Sequence, residues 1–136
     1  MTKRIKIGNV YAILLPDGTY AFGKIFKDGC VGFYKELALN KKNLPKYEDF
    51  QFIVGVYKDV IREWELVDYR EFASIEESWP PPMCVFDELN DSYSKYYKGD
   101  FFESNKGECE KLEVAAVWDR HHIIDRLMGD DSWVKL

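Results

Sequence analysis

His121 and His122 are the only histidines in this chain, and with Asp125 they come nearest to a ligand set. His121 and Asp125 stand at i and i+4, on one helix face, where an imidazole and a carboxylate can share a metal ion. Such a site needs three or four ligands. No other histidine exists, and Cys109 or a nearby glutamate would complete the set only by coincidence of folding. The pair therefore reads as one exposed and one partly buried helix residue, and no metal is expected. Nucleophilic catalysis needs a Ser or Cys beside a base held by a third group. Cys84 and Cys109 lie far from the histidines in sequence, and neither sits in an elbow or a glycine-rich signature. Cys30, Cys84 and Cys109 are an odd number at wide spacing without a CxxC, so they read as reduced thiols, mostly buried as small hydrophobes. With 24 Asp and Glu, adjacent acids arise by chance, and Glu76-Glu77 and Asp130-Asp131 read first as solvated surface. The glycines never fall as GxxxxGK or GxGxxG, so no phosphate loop is expected. Together these readings predict a protein without catalytic activity and without a cofactor.

The elements that would position these groups are mostly strands. Val10–Leu15 is rich in β-formers and runs into the turn signal Pro16-Asp17-Gly18-Thr19. Tyr20–Phe26, a turn at Lys27-Asp28-Gly29, and Cys30–Leu37 follow as a meander. Both faces of Tyr20–Phe26 carry apolar groups, which predicts cover on both sides, and Gly23 and Gly32 suggest bulges or close backbone approach. Residues 38–49 read as a loop or frayed helix end, and Phe50–Tyr57 as a dense apolar strand. Lys58–Trp64 has helical spacing but is short, Glu65–Tyr69 reads as a strand, and Phe72–Ser78 as an extended connection. Trp79-Pro80-Pro81-Pro82 is the clearest break, since three prolines cannot donate to a ladder and favour an extended chain. This segment is expected to cross over as a connection with Trp79 packed. Met83–Phe86 and Tyr93–Tyr97 form a hairpin around residues 87–92, Phe101–Glu103 follows, Asn105-Lys106-Gly107 reads as a turn, and Leu112–Trp118 as a strand. Asp119 caps a helix to about Met128, closed by Gly129, with Ile123, Ile124, Leu127 and Met128 as its buried stripe. The expected fold is α+β: mostly antiparallel β, a strongly curved sheet or small partly open barrel with a C-terminal helix, in a single domain over residues 1–136.

Apolar residues make up 46% and aromatics 16%, enough for one core, and no apolar run approaches the roughly 20 residues that span a bilayer. The start MTKRIKIGNVYAILL is basic then apolar, but Pro16-Asp17-Gly18 follows without a small-residue cleavage site. It reads as a strand, and the chain as cytoplasmic. The net charge of −5 is uneven: residues 1–58 carry ten Lys/Arg against five Asp/Glu, and residues 59–136 nine against nineteen. A basic first part can approach nucleic acid, and an acidic second part repels it and attracts a basic protein. Tyr20, Phe22 and Lys24, and Tyr93–Lys98, have the aromatic-plus-lysine character of a base-stacking strand. A packed aromatic face explains that alternation equally well, and Asp91 and Asp100 flank the second segment, so nucleic acid is not the expected ligand.

Three stretches resemble the immunity protein 26 family of bacterial toxin–immunity systems. The first is Gly8–Ile25, similar to that family's G-[DN]-[VI]-[FY]-A-I strand, P-[DN]-G turn and aromatic-x-[FY]-G-[KR] strand, with Asn9 where Asp is common. The others are Trp79-Pro80-Pro81-Pro82 with the hairpin through Gly99, and Val117–Leu127. The resemblance runs in order over most of the chain. It implies a mostly β fold and a protein that binds and blocks a cognate toxin, with no catalytic motif to carry over. An acidic surface suits a toxin with a basic cleft, such as a nuclease domain. The expected partner-binding residues are Glu76, Glu77, Asp87, Glu88, Asp91, Asp119 and Asp125. The alternative is a small-barrel module that binds nucleic acid or peptide without catalysis.

Overall fold

The computed structural model describes residues 4–134, and the fold is mostly β with a C-terminal helix. Among the described residues ten strands form two mixed sheets. The larger has the order β10-β4-β3-β2-β1-β5, built from β1 (Asn9–Leu14), β2 (Tyr20–Ile25), β3 (Cys30–Tyr34), β4 (Phe50–Val56), β5 (Glu65–Tyr69) and β10 (Val117–Trp118). The smaller has the order β8-β7-β6-β9, from β6 (Met83–Asp87), β7 (Ser92–Tyr97), β8 (Asp100–Ser104) and β9 (Glu113–Val114). All pairings are antiparallel except β10 with β4 and β6 with β9. The helices are α1 (Lys58–Ile61), α2 (Lys106–Cys109) and α3 (Arg120–Leu127).

The meander expected from the turn chemistry is present, and β2 is covered on both sides. One face of the large sheet buries Ile13, Ile25, Phe33 and Val54 against α1 and α3. The other buries Val10, Ala12, Phe22 and Tyr34 beneath Leu44 and the long loop of residues 35–49. Register shifts occur at Val10/Tyr11 and Phe33/Tyr34, where an extra residue bends the strand. Gly23 and Gly32 are close-approach positions rather than bulges. A Cβ on Gly32 would lie 2.5 Å from the Phe26 ring and 2.9 Å from Phe50.

Several expectations are refined. Residues 105–107 are not a simple turn: the Asn105 side chain accepts from the Glu108 N–H and starts α2, the usual work of an N-cap. The segment 112–118 is not one strand. It pairs in the small sheet as β9, then steps to the large sheet as β10, where the bare Gly55 admits the Ala116 carbonyl. On α3, Asp119 caps as expected and Gly129 closes at φ +93°. Ile123 and Leu127 are buried and Ile124 partly so, but Met128, which follows the last residue of α3, is exposed. Glu76–Ser78 is a short 3-10 turn, and the chain then extends from Trp79 through the prolines into β6. Trp79 and Pro82 are half-buried and Pro80 is buried.

The largest correction concerns the cysteines. Cys84 of β6 and Cys109 of α2 are joined as a disulfide with Cα atoms 5.2 Å apart. Their wide spacing hid this, because α2 folds back over the hairpin and Lys95 of β7 ties it there through Glu108. Cys30 is the remaining thiol, buried in the large sheet. No helix among the described residues is long and apolar enough to cross a membrane.

Candidate binding cleft

Lys24 poses the first question about function, because an ammonium at the centre of a covered strand must be paired. Its side chain is 3% exposed, and its Nζ donates to Glu48 Oε1 at 2.6 Å. Glu48 sits in the loop before β4 and receives two further donors. These are the Tyr34 hydroxyl at 2.7 Å and Arg70 Nη1 at 3.0 Å, both on Oε2. Arg70 also holds Asp68 at 2.9 Å and the Pro45 carbonyl at 2.7 Å. Burial pulls the Glu48 carboxyl up, but the hydrogen bonds from Lys24, Tyr34 and Arg70 outweigh it and hold the group below its ordinary range. Burial and the same carboxylate push the Tyr34 hydroxyl up. Two cations, Lys24 and Arg70, thus meet two anions, Glu48 and Asp68, and the network is neutral.

Two members of the network, Lys24 and Glu48, form the polar floor of a cleft of about 570 Å³. Lys24 of β2, Gly32 of β3 and Ile53 of β4 are register neighbours. The bare Gly32 lets the rings of Phe26 and Phe50 settle there, 5.3 Å apart and edge to face. Phe72 packs on Phe26 at 4.9 Å. The opposite wall is Trp79, Pro80 and Pro81, with Tyr97 of β7. The cleft therefore lies where the two sheets join, over a small core of Phe26, Cys30 and Met83. Its charged lining is Lys24, Glu48, Glu71 and Glu77. Glu71 and Glu77 form no ion pair among the described residues. Lys24 and Glu48 cancel, which leaves Glu71 and Glu77 on an aromatic surface; Glu71 also lines the adjoining hollow with Lys27, whose Nζ lies 4.8 Å from the Trp79 ring centroid. A second hollow of about 360 Å³ beside Trp64 is different. Its charged groups are already paired, Lys41 with Glu65 and Arg120 with Glu63.

Of the acids expected to bind a partner, only Glu77 lines this cleft. Glu76 is next to it but is paired with Lys98. Asp87, Glu88 and Asp91 do gather in the β6–β7 turn. Asp87 accepts from the Leu89 and Asn90 N–H groups and the Asn90 amide, and those bonds lower its pKa, so it holds its own turn. Asp91 takes the left-handed conformation at φ +47°, and Glu88 is exposed. Asp119 caps α3, and Asp125 accepts the Trp133 indole N–H at 3.0 Å. Four of the seven, Glu76, Asp87, Asp119 and Asp125, are therefore engaged by their own chain. Sequence reasoning missed Glu48, Glu71 and Phe72. The available signal was Lys24, whose place in a two-face-covered strand demands a carboxylate brought from a loop.

His121 is exposed and His122 half-buried, with rings 3.9 Å apart and Trp133 against both. Among the described residues no three His, Cys, Asp or Glu side chains gather as a metal site. Cys84 and Cys109 are consumed by each other, and burial pushes the Cys30 thiol up to about 12, with Asp28 adding to it. The aromatic-plus-lysine segments are also occupied. Phe22 and Lys24 are buried, and Lys95 and Lys98 are paired with Glu108 and Glu76. No protein-family model, curated protein or solved structure matches this chain.

Proposed function

We propose that this chain is a non-catalytic protein that binds and neutralises a cognate bacterial toxin by direct protein–protein contact, as the immunity proteins it resembles do. The observation that carries the reading is the cleft at the sheet junction: aromatic walls, a self-neutralised floor, and two carboxylates left without a partner. Aromatic rings are the usual anchors of protein interfaces, and unpaired rim carboxylates steer a basic partner toward them. The charge excess of residues 59–136 points the same way, toward a basic nuclease domain as the partner. The two register shifts in the large sheet support its description as a strongly curved sheet or small partly open barrel, a single domain on which the cleft is mounted.

The site of action is the cytoplasm of the toxin-producing cell. Thiol-reducing conditions there open the Cys84–Cys109 pair, so the fold and the cleft must persist without it. A second reading, a peptide-binding module outside any toxin system, draws on the same aromatic and proline-lined cleft. Nucleic-acid binding is disfavoured, because the basic aromatic segments are buried or paired.

Co-expression decides between the readings. Cells expressing the toxin encoded beside this chain should grow when the chain is present, and the two proteins should co-purify as a complex. Failure to restore growth, with both proteins present and folded, would remove the toxin reading.

A further inference from the structure

The small sheet ends on β8, the outer strand of the order β8-β7-β6-β9. Four of its five residues are exposed, with Phe101 66% and Phe102 49% accessible. The β7–β8 turn decides which of its main-chain groups are already used. Lys98 and Gly99 both have positive φ and connect Tyr97 to Asp100. Such a two-residue connection closes on a hydrogen-bonded pair, here Tyr97 with Asp100, and the pairs alternate from there. Phe102 and Ser104 therefore bond β7, and the N–H and C=O groups of Phe101 and Glu103 turn outward. No other backbone group among the described residues bonds to them. The edge at β5 is different. It is bulged against β1, and its Glu65 and Asp68 are held by Lys41 and Arg70. β8 has no bulge, no proline and no lysine, three of the devices that keep a sheet edge from pairing.

Phe101 and Phe102 lie on opposite faces of the sheet, Phe101 against Tyr96 at 5.1 Å and Phe102 on the side where Lys95 meets α2. An added strand covers both rings and satisfies the outward groups together. Charge selects the strand. Asp100 and Glu103 form no ion pair among the described residues, and the cross-strand neighbours of Glu103, Ser94 and then Val85, are uncharged. Residues 83–113 carry eight Asp/Glu against four lysines, and Lys95 and Lys98 are already held by Glu108 and Glu76. A second copy of this chain would bring the same acids to the same edge, so like charge opposes pairing of β8 with itself, whereas a basic strand finds complementary charge. We propose that the free edge of β8 takes a strand from a basic protein partner, with side chains that run basic, apolar, apolar, basic along Glu103, Phe102, Phe101 and Asp100. The pattern reads the same in either direction. This surface is separate from the cleft lining but adjoins it, since Tyr97 lines the cleft and pairs with Asp100.

The test uses the full chain labelled with nitrogen-15 and a capped peptide, Thr-Arg-Val-Val-Arg-Thr. One matched peptide carries glutamate in place of both arginines. Another is N-methylated on both valines, one of which must face β8 whichever edge the peptide presents. The arginine peptide should shift the amides of residues 100–104 saturably and slow hydrogen exchange at Phe101 and Glu103, whose N–H groups face solvent in the free protein. N-methylation should weaken binding about tenfold, the size of one or two lost main-chain hydrogen bonds. The glutamate peptide should also bind about tenfold more weakly, as two exposed pairs become repulsive. In Asp100→Lys/Glu103→Lys, changed only at exposed positions, the preference should reverse toward the glutamate peptide. Equal binding of the N-methylated peptide overturns strand addition. Equal binding of the arginine and glutamate peptides, or no reversal in the variant, overturns the basic partner. Absence of a saturable shift, or a shift centred on Phe72 and Trp79 in the cleft, overturns the site. Self-association of the free chain that protects the same two amides would make a second copy the occupant and overturn the proposal. The peptides require no toxin, so loss of protection in co-expression would remove the toxin reading and leave this one standing, and the converse holds.

Discussion

Glu48 is the residue on which the cleft floor depends. It is half-exposed, yet it compensates Lys24, which is not. Removing one partner of a pair with a buried member leaves a stranded charge, so Glu48→Gln should cost about 2 kcal/mol, discounted from the fully buried case for solvent access. The pH dependence has a definite sign. The folded-state pKa of Glu48 is held below its unfolded value of 4.5, so its contribution is present above that pH and is lost as pH falls through the folded value. Thermal melts of wild type between neutral and acid pH should therefore show a fall in Tm below about pH 4.5, and Glu48→Gln should flatten part of it. Equal acid sensitivity in both proteins would show that the network contributes little. Asp119→Ala should cost about 1 kcal/mol through the lost cap of α3, read by chemical denaturation.

At the scale of elements, the legible parts were those governed by local chemistry. Pro16-Asp17-Gly18 and Lys27-Asp28-Gly29 announced the first meander, and Asp119 with Gly129 bracketed α3. What stayed hidden depends on distant partners. Nothing near Cys84 announces Cys109, because their meeting is made by the return of α2 over the hairpin. Nothing near Lys24 announces Glu48, which a loop delivers from 24 residues away. The division of residues 112–118 between two sheets was hidden for the same reason: its two strand partners, β6 and β4, lie elsewhere in the chain. Of the acids read as partner-binding, Glu77 lies in the cleft, whereas Asp87 and Asp119 looked free only because turn and cap bonds are formed on folding. Two element-scale outcomes follow. Gly32→Ala should cost about 1–3 kcal/mol and displace the Phe26 and Phe50 rings, because overpacking a filled site forces neighbours aside. Reducing the disulfide, or the Cys84→Ser/Cys109→Ser pair, should cost about 3 kcal/mol by releasing a loop with a sequence separation of 25. Circular dichroism and melts in reductant check this, with the expectation that the reduced protein is less stable but still folded.

For the whole molecule, we propose that an acidic, aromatic cleft mounted on a two-sheet scaffold blocks a basic partner. On that proposal the charge asymmetry of the sequence steers association and the aromatic walls hold the complex, so the two should separate kinetically. Trp79→Ala should act mainly on dissociation, and charge changes at the rim mainly on association. The most direct measurement is the association rate with the proposed toxin partner, taken at low and high salt for the wild type and for Glu71→Lys/Glu77→Lys. The account predicts that wild-type association is fast and slows markedly as salt rises, while the reversed variant associates more slowly and with a much flatter salt dependence. Identical rates and identical salt dependence for the two proteins would contradict it.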